Sequence, residues 1–168
     1  FEEFIQNGWE GANATIDDYE LHANLYFPEV RMRNFIEIRN HDCVGGDLKY
    51  AILAIYKGIM YDNQAIEECE ELFKPLQYRD FSELRFNVPK NALQSKVKKA
   101  KASDYAKEII SIAENSLKKA QTGEELFLES IKEYTYKNLC PADIILKNWN
   151  GSWNKKLNKL INYLSEFS

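Results

Sequence analysis

Glu37 and Arg39 stand at a spacing that suits phosphate and metal chemistry. One aliphatic residue separates them in the run Phe35-Ile-Glu-Ile-Arg39. Successive side chains of a β-strand point to opposite faces, so both charges would share one face, about 7 Å apart at about 3.3 Å of rise per residue. A carboxylate in that position can bind a divalent cation while the guanidinium beside it binds phosphoryl or carboxylate oxygens.

The same alternation also describes an ordinary solvated strand. Ile36 and Ile38 would then face a core, and Phe35, Glu37 and Arg39 would face the other way. In that interpretation the charges form a cross-strand ion pair and have no chemical role. Alternation alone leaves both interpretations open.

Composition and charge exclude several classes of protein. The 168 residues are 45% hydrophobic and 29% charged, which is ordinary for a globular domain. The net charge of -4 argues against a nucleic-acid-binding surface, and the most apolar run, 51–60, is short and interrupted by Lys57, which predicts no membrane span. Three widely spaced cysteines and two histidines fit neither a disulfide framework nor a zinc site, and they predict a cytoplasmic location.

The N-terminal patterns predict a short helix followed by one small β element. Thr15 and Asp18 have the spacing of a helix start, and the helix is expected to reach about Leu25. The segments Tyr26–Arg31 and Phe35–Arg39 then form an antiparallel pair with a turn between them.

Helical spacing dominates after Gly45-Gly46, so the predicted class is α+β, mostly helical, with the β element near residues 26–39. The lysines at 96–101 and the glutamates at 67–71 are expected on solvated helix faces. The weakly periodic segment Arg79–Asn91 is expected to be a surface loop. Helices are predicted over the segments 47–61, 64–73, 103–120, 122–139 (opened by a capping box at Thr122), 141–150 (with Pro141 at its first position) and 154–167.

Several short motifs follow one another in a fixed order. Phe27-Pro-Glu-Val-Arg31 precedes Phe35-Ile-Glu-Ile-Arg-Asn-His-Asp42, and Gly58-Ile-Met-Tyr-Asp62 ends a predicted helix. Near the C-terminus stand Pro141-Ala-Asp143 and Asn150-Gly-Ser-Trp153. In order and spacing these motifs resemble the glutamate–cysteine ligase family, in its plant and proteobacterial branch.

The resemblance implies a glutamine-synthetase-like catalytic domain, of which residues 1–168 would be the C-terminal portion. It implies ATP-dependent joining of the γ-carboxylate of L-glutamate to L-cysteine through a γ-glutamyl phosphate, the first step of glutathione biosynthesis. ATP and Mg²⁺ are the implied cofactors. Both chemical steps gather negative charge, which fixed cations and magnesium ions would stabilise.

The matching motif positions imply a role for four residues. Glu37 would bind Mg²⁺, a cation that prefers oxygen ligands. Arg39 would bind the γ-carboxylate or the transferred phosphoryl group, and Arg31 is a second catalytic and substrate-binding candidate. Asp42 would orient Arg39 or a metal-bound water.

The chain is expected to form only part of such a site. It begins at Phe1 and can supply about two strands, whereas a glutamine-synthetase-like site is built on a broad sheet. We therefore expect the remaining metal carboxylates in an upstream part of the same protein, and little ligase activity from the chain alone. Two alternatives stay open: a related carboxylate–amine ligase with another acceptor amine, and a non-catalytic helical interaction domain in which Glu37 and Arg39 form a surface ion pair.

Overall fold

The computed structural model describes residues 1–25, 28–32 and 35–165. They belong to two compact units, Phe1–Asp42 and Cys43–Ser168. The first unit contains helices α1 (Glu2–Asn7) and α2 (Ile16–Leu25) and strands β1 (Val30–Met32) and β2 (Ile36–Ile38).

Helix α2 begins where its capping residues predict. The Thr15 N–H donates to the Asp18 carboxylate at 2.9 Å, and the Asp18 N–H donates back to Thr15 Oγ1 at 3.3 Å. These reciprocal bonds satisfy N–H groups that have no partner inside the helix, which confirms the predicted start.

Strands β1 and β2 form the predicted antiparallel hairpin. Their register pairs Val30 with Ile38, Arg31 with Glu37, and Met32 with Ile36. The expectation that Ile36 faces a core is wrong for this chain, because Ile36 is 56% exposed. The turn and the first residues of the predicted strand pair lie partly outside the described residues, which exclude Tyr26, Phe27, Arg33 and Asn34.

The second unit is a helical assembly with a second small hairpin. The described residues are therefore mostly helical with two small antiparallel sheets, which confirms the α+β class. The helices of the second unit are α3 (Leu48–Met60), α4 (Asn63–Phe73), α5 (Tyr78–Asn91), α6 (Ala102–Ala120), α7 (Glu129–Tyr136), α8 (Pro141–Asn150) and α9 (Leu157–Ser165). Two 3₁₀ turns, Ala92–Gln94 and Glu124–Leu128, and strands β3 (Lys96–Val97) and β4 (Ala100–Lys101) complete it.

The core of this unit is centred on the contact between α3 and α6. Ala54, Ala113, Leu117 and Leu128 form one buried cluster there. Gly58 lies so close to α6 that a Cβ atom added to it would stand 2.6 Å from the Ala113 carbonyl oxygen. Small side chains on both helices therefore allow the two backbones to approach closely.

Three sequence-based expectations for this unit are wrong. Residues 79–91 are not a loop, because α5 covers Tyr78–Asn91; it begins where the Gln77 N–H donates to the Asp80 carboxylate at 2.7 Å. No residue of α5 is buried, although Phe81, Leu84 and Val88 recur at the spacing of one helix face. The lysines at 96–101 lie on the β3–β4 hairpin rather than on a helix.

The third error concerns the segment after Thr122. Its hydroxyl donates to the Glu124 carboxylate at 2.7 Å, and a 3₁₀ turn precedes α7, so no capping box opens a long helix there. Helix α8 does begin with Pro141 and end at Asn150, as predicted. Helix α9 is shorter than the expected 154–167, although residues 166–168 lie outside the described part.

Replacing Gly58 with alanine tests the close approach of α3 and α6. Helix propensity alone would stabilise α3 by about 1 kcal/mol. We expect the opposite sign, a loss of about 1–3 kcal/mol in the free energy of unfolding, because the new methyl group would clash with the Ala113 backbone. Urea unfolding measures the change, with Leu53→Ala at a position that is 65% exposed on α3 as the control. A Gly58→Ala variant that is more stable than the wild type would contradict this packing.

Candidate functional site

The charged face of the β1–β2 hairpin is the candidate site. Arg31 and Glu37 lie directly opposite each other in the register, and Arg31 Nε donates to Glu37 Oε2. The Arg31 side chain is 10% exposed and that of Glu37 is 31% exposed. Directly opposed residues of an antiparallel pair share one face, so this ion pair lies on the face opposite Ile36 and Ile38.

Two further charges extend this face by one step. The Arg39 N–H donates to the Glu29 carbonyl oxygen at 2.7 Å, which continues the strand pairing beyond β1 and β2. With a period of two, Glu29 and Arg39 then fall on the same face as Arg31 and Glu37. We call these four residues the hairpin charge face; it carries two carboxylates and two guanidinium groups in alternation.

The sequence alone leaves open whether Glu29 faces the site or pairs with Arg33, and the backbone pairing of Glu29 with Arg39 places it on this face. Its two-residue spacing from Arg31 was a signal that could have placed it there. Arg39 is an exposed residue at the surface of the molecule. Asp42 is also exposed and lies in the irregular segment after β2. Its predicted role of orienting Arg39 or a metal-bound water stays a prediction.

Arg31 also connects the hairpin to α2. Its Nη1 donates to the Asn24 carbonyl oxygen at 3.3 Å, and Asn24 lies in the last turn of α2. The last carbonyl groups of a helix have no partner inside it, and the helix dipole favours a cation at that end. No local sequence signal relates Asn24 to Arg31, because the contact depends on how the chain returns from α2 to β1.

The described residues do not by themselves form a complete binding site for a magnesium ion. Among residues 1–25, 28–32 and 35–165, no group of three histidine, cysteine, aspartate or glutamate side chains is placed to hold a metal. Glu37 offers the right kind of oxygen ligand, but it is ion-paired to Arg31. A magnesium site at Glu37 would therefore need ligands from elsewhere in the protein.

A cavity in the helical unit is unsuited to charged substrates. It has a volume of about 330 Å³, lies within the helical unit and is lined largely by aliphatic side chains such as Ile52, Ile109 and Ile131. Burial of a phosphate or carboxylate without partners in such a cavity would cost several kcal/mol. The candidate site for ionic chemistry is therefore the hairpin charge face.

The Gly58–Asp62 motif has a structural role. Gly58 allows the close contact with α6, and Tyr61 is 87% exposed. Asp62 caps α4 by accepting the Gln64 N–H at 3.0 Å, and Lys119 Nζ of α6 lies 3.3 Å from its other carboxylate oxygen. The Gln64 hydrogen bond, and secondarily Lys119, holds the pKa of Asp62 below its ordinary value.

No described helix has both the length and the apolar character needed to cross a membrane. The family model of glutamate-cysteine ligase family 2 (GCS2) matches residues 6–162, so the chain belongs to that family. The match includes the whole hairpin charge face and all helices from α2 to α8.

Curated relatives from plants share about a quarter of the residues. The chain is 26% identical to the chloroplastic glutamate–cysteine ligase of Solanum lycopersicum over 92% of its own length and 29% of that protein. It is 25% identical to the chloroplastic ligase of Arabidopsis thaliana, over 92% of the chain and 30% of the relative. The chain thus spans about 30% of the length of these relatives. The predicted cytoplasmic location of this protein stays a prediction.

An Asp62→Asn variant tests the charge at the start of α4, which accepts the Gln64 N–H and faces Lys119. Asparagine caps a helix about as well as aspartate, so the variant chiefly removes the charge that faces Lys119. A carboxyl group whose pKa is lowered by folding stabilises the folded state above its unfolded pKa, near 3.8, and this contribution is lost as pH falls through the lower, folded pKa. We therefore expect wild type to be the more stable protein at pH 7, and the difference to shrink at acid pH.

Urea unfolding of both proteins between about pH 7 and pH 2 measures this difference. Glu70→Gln, at an exposed position of the same helix, is the matched control. A stability difference between wild type and Asp62→Asn that is constant over this range would contradict the assignment.

Proposed function

We propose that the protein to which this chain belongs joins the γ-carboxylate of L-glutamate to the amine of L-cysteine with consumption of ATP. The observation that carries this proposal is the family match over residues 6–162, which includes both charged motifs of the hairpin. The hairpin brings these motifs onto one face, where a phosphoryl group or a carboxylate could bind. The product would be γ-glutamylcysteine, for use in glutathione biosynthesis.

The chemistry would proceed in two steps that both concentrate negative charge. The γ-phosphoryl group of ATP passes to the glutamate side-chain carboxylate, and ADP leaves. The amine nitrogen of cysteine then forms a bond to the carbonyl carbon of the γ-glutamyl phosphate, the carbon–oxygen bond to phosphate breaks, and phosphate and a proton are released. A preorganised guanidinium beside the reacting oxygens stabilises such charge without having to reorient.

Arg39 is the residue of this chain best placed for that task. It is exposed, its backbone is fixed by the hydrogen bond to Glu29, and its guanidinium can bind two oxygens of a carboxylate or phosphoryl group. Glu37 would serve as one Mg²⁺ ligand only together with carboxylates from the rest of the protein. We further propose a glutamine-synthetase-like catalytic domain, in which additional strands extend the two-stranded hairpin, and a cytoplasmic location.

A second candidate differs only in the acceptor amine. Identity to the plant ligases is 24–26%, and no described residue of the hairpin charge face selects a thiol. A related carboxylate–amine ligase with another acceptor therefore fits the same site. Supplying ATP, glutamate and a panel of amino acids to the full-length protein, with mass spectrometry of the products, separates the two: γ-glutamylcysteine as the main product supports the proposal, and another γ-glutamyl amide supports the second candidate.

The 168-residue chain alone is expected to have almost no ligase activity. It spans about 30% of the length of its relatives, and its described residues contain no group that could hold a metal. Purified chain would be mixed with ATP, magnesium, glutamate and cysteine, and ADP release would be compared with that of the full-length protein. Robust, glutamate-dependent ADP release by the chain alone would show that the site is complete without the rest of the protein.

Charge-specific substitutions on the hairpin should abolish turnover in the full-length protein without unfolding it. We expect Glu37→Gln and Arg39→Lys each to lower kcat/KM by about 10²-fold or more, the usual loss when one fixed charge-stabilising group is removed. Arg79→Lys is the control, because the Arg79 side chain is 86% exposed on α5. Circular dichroism verifies folding. Full activity in both hairpin variants would favour the alternative of a non-catalytic interaction domain.

A further inference from the structure

Arg31 and Arg39 differ in their exposure to solvent, although the two motifs make them look equivalent. The Arg31 side chain is only 10% exposed, and two of its three nitrogen atoms donate to protein groups, Nε to Glu37 and Nη1 to the Asn24 carbonyl oxygen. Arg39 is exposed. An enclosed guanidinium whose fork already binds a carboxylate and a carbonyl group offers little surface to a substrate.

We propose that Arg31 is a positioning residue that acts through Glu37, whereas Arg39 contacts the substrate. This inference rests on the proposed function and assigns Arg31 a narrower role in it. A guanidinium held from two directions can orient the carboxylate that it binds. The α2 carbonyl group fixes one side of Arg31, and the register of the hairpin fixes Glu37 opposite it. The rotamer of Glu37 is thereby set by groups on three elements, α2, β1 and β2.

The burial of the pair supports this assignment. The Glu37 side chain is 31% exposed, about three times as much as that of Arg31, so Glu37 is the more accessible partner of the pair. A supporting residue that orients another side chain in this way typically changes activity by 10- to 100-fold when it is replaced. A residue that contacts the substrate directly would instead raise the KM values when it is replaced. A purely structural residue would lower the Tm and leave kcat per folded molecule unchanged.

A double-mutant cycle in the full-length protein separates these roles. The variants are Arg31→Met, Glu37→Gln and both together, with Arg31→Lys as the conservative replacement and Arg79→Met as the control for loss of an arginine paired to a glutamate. We expect Arg31→Met to lower kcat by about 10- to 100-fold while the KM values for glutamate and ATP change less than about twofold. Arg31→Lys should recover part of this loss, since an ammonium group can still pair with Glu37.

The central result is the double variant. If Arg31 acts through Glu37, Arg31→Met should lower the activity of Glu37→Gln by no more than about twofold, because interacting residues are not additive. Independent effects would multiply instead. A full loss in the Glu37→Gln background, together with raised KM values, would overturn the inference in favour of direct substrate contact. A lowered Tm with unchanged kcat per folded molecule would overturn it in favour of a purely structural role.

Failure of the proposed function would be visible in other arms of the same experiment. A wild-type protein that forms no γ-glutamyl product, or a fully active Glu37→Gln variant, would contradict the ligase assignment or the role of Glu37. Neither outcome depends on an Arg31 variant. With an active wild type and an impaired Glu37→Gln protein, the Arg31 variants alone decide whether Arg31 positions Glu37.

Discussion

The close approach of α3 and α6 is the constraint on which the helical unit depends. Gly58 has no side chain, and Ala113 is completely buried against it, so the two backbones lie nearer than larger residues would permit. Leu117 and Leu128 belong to the same buried cluster as Ala113. Close packing makes such a site sensitive to a single added methyl group, because a dense core cannot absorb extra volume without moving its neighbours.

The hairpin is organised by a different constraint, the period of two along a paired strand. It separates an apolar face, with Val30 and Ile36 more than half exposed, from the face that carries four alternating charges. A one-residue slip of either strand would move every charge to the opposite face. The observed register allows Arg31 to pair with Glu37 and the Arg39 N–H to donate to Glu29. In the same register, Arg31 also contacts the end of α2.

The motifs that resemble those of the ligase family have two physical purposes. Gly58 and Asp62 serve the helical unit, the first by permitting close packing and the second by capping α4 and facing Lys119. Arg31 and Glu37 lie in the other unit, where they form an ion pair in which Glu37 is the more exposed partner. The chain of this member of glutamate-cysteine ligase family 2 thus carries motif residues whose observed contacts are structural.

The sequence alone determined those features whose causes lie within a few residues. Thr15 and Asp18 start α2, Pro141 starts α8, and the alternation around Glu37 produces a strand, because capping, proline geometry and side-chain period are local effects. Only the tertiary structure decided what depends on partners distant in sequence. It made residues 78–91 a helix without any buried side chain, and it placed Arg31 between Glu37 and the end of α2. Neither strand encodes the register by itself, since the register arises from the pairing of both.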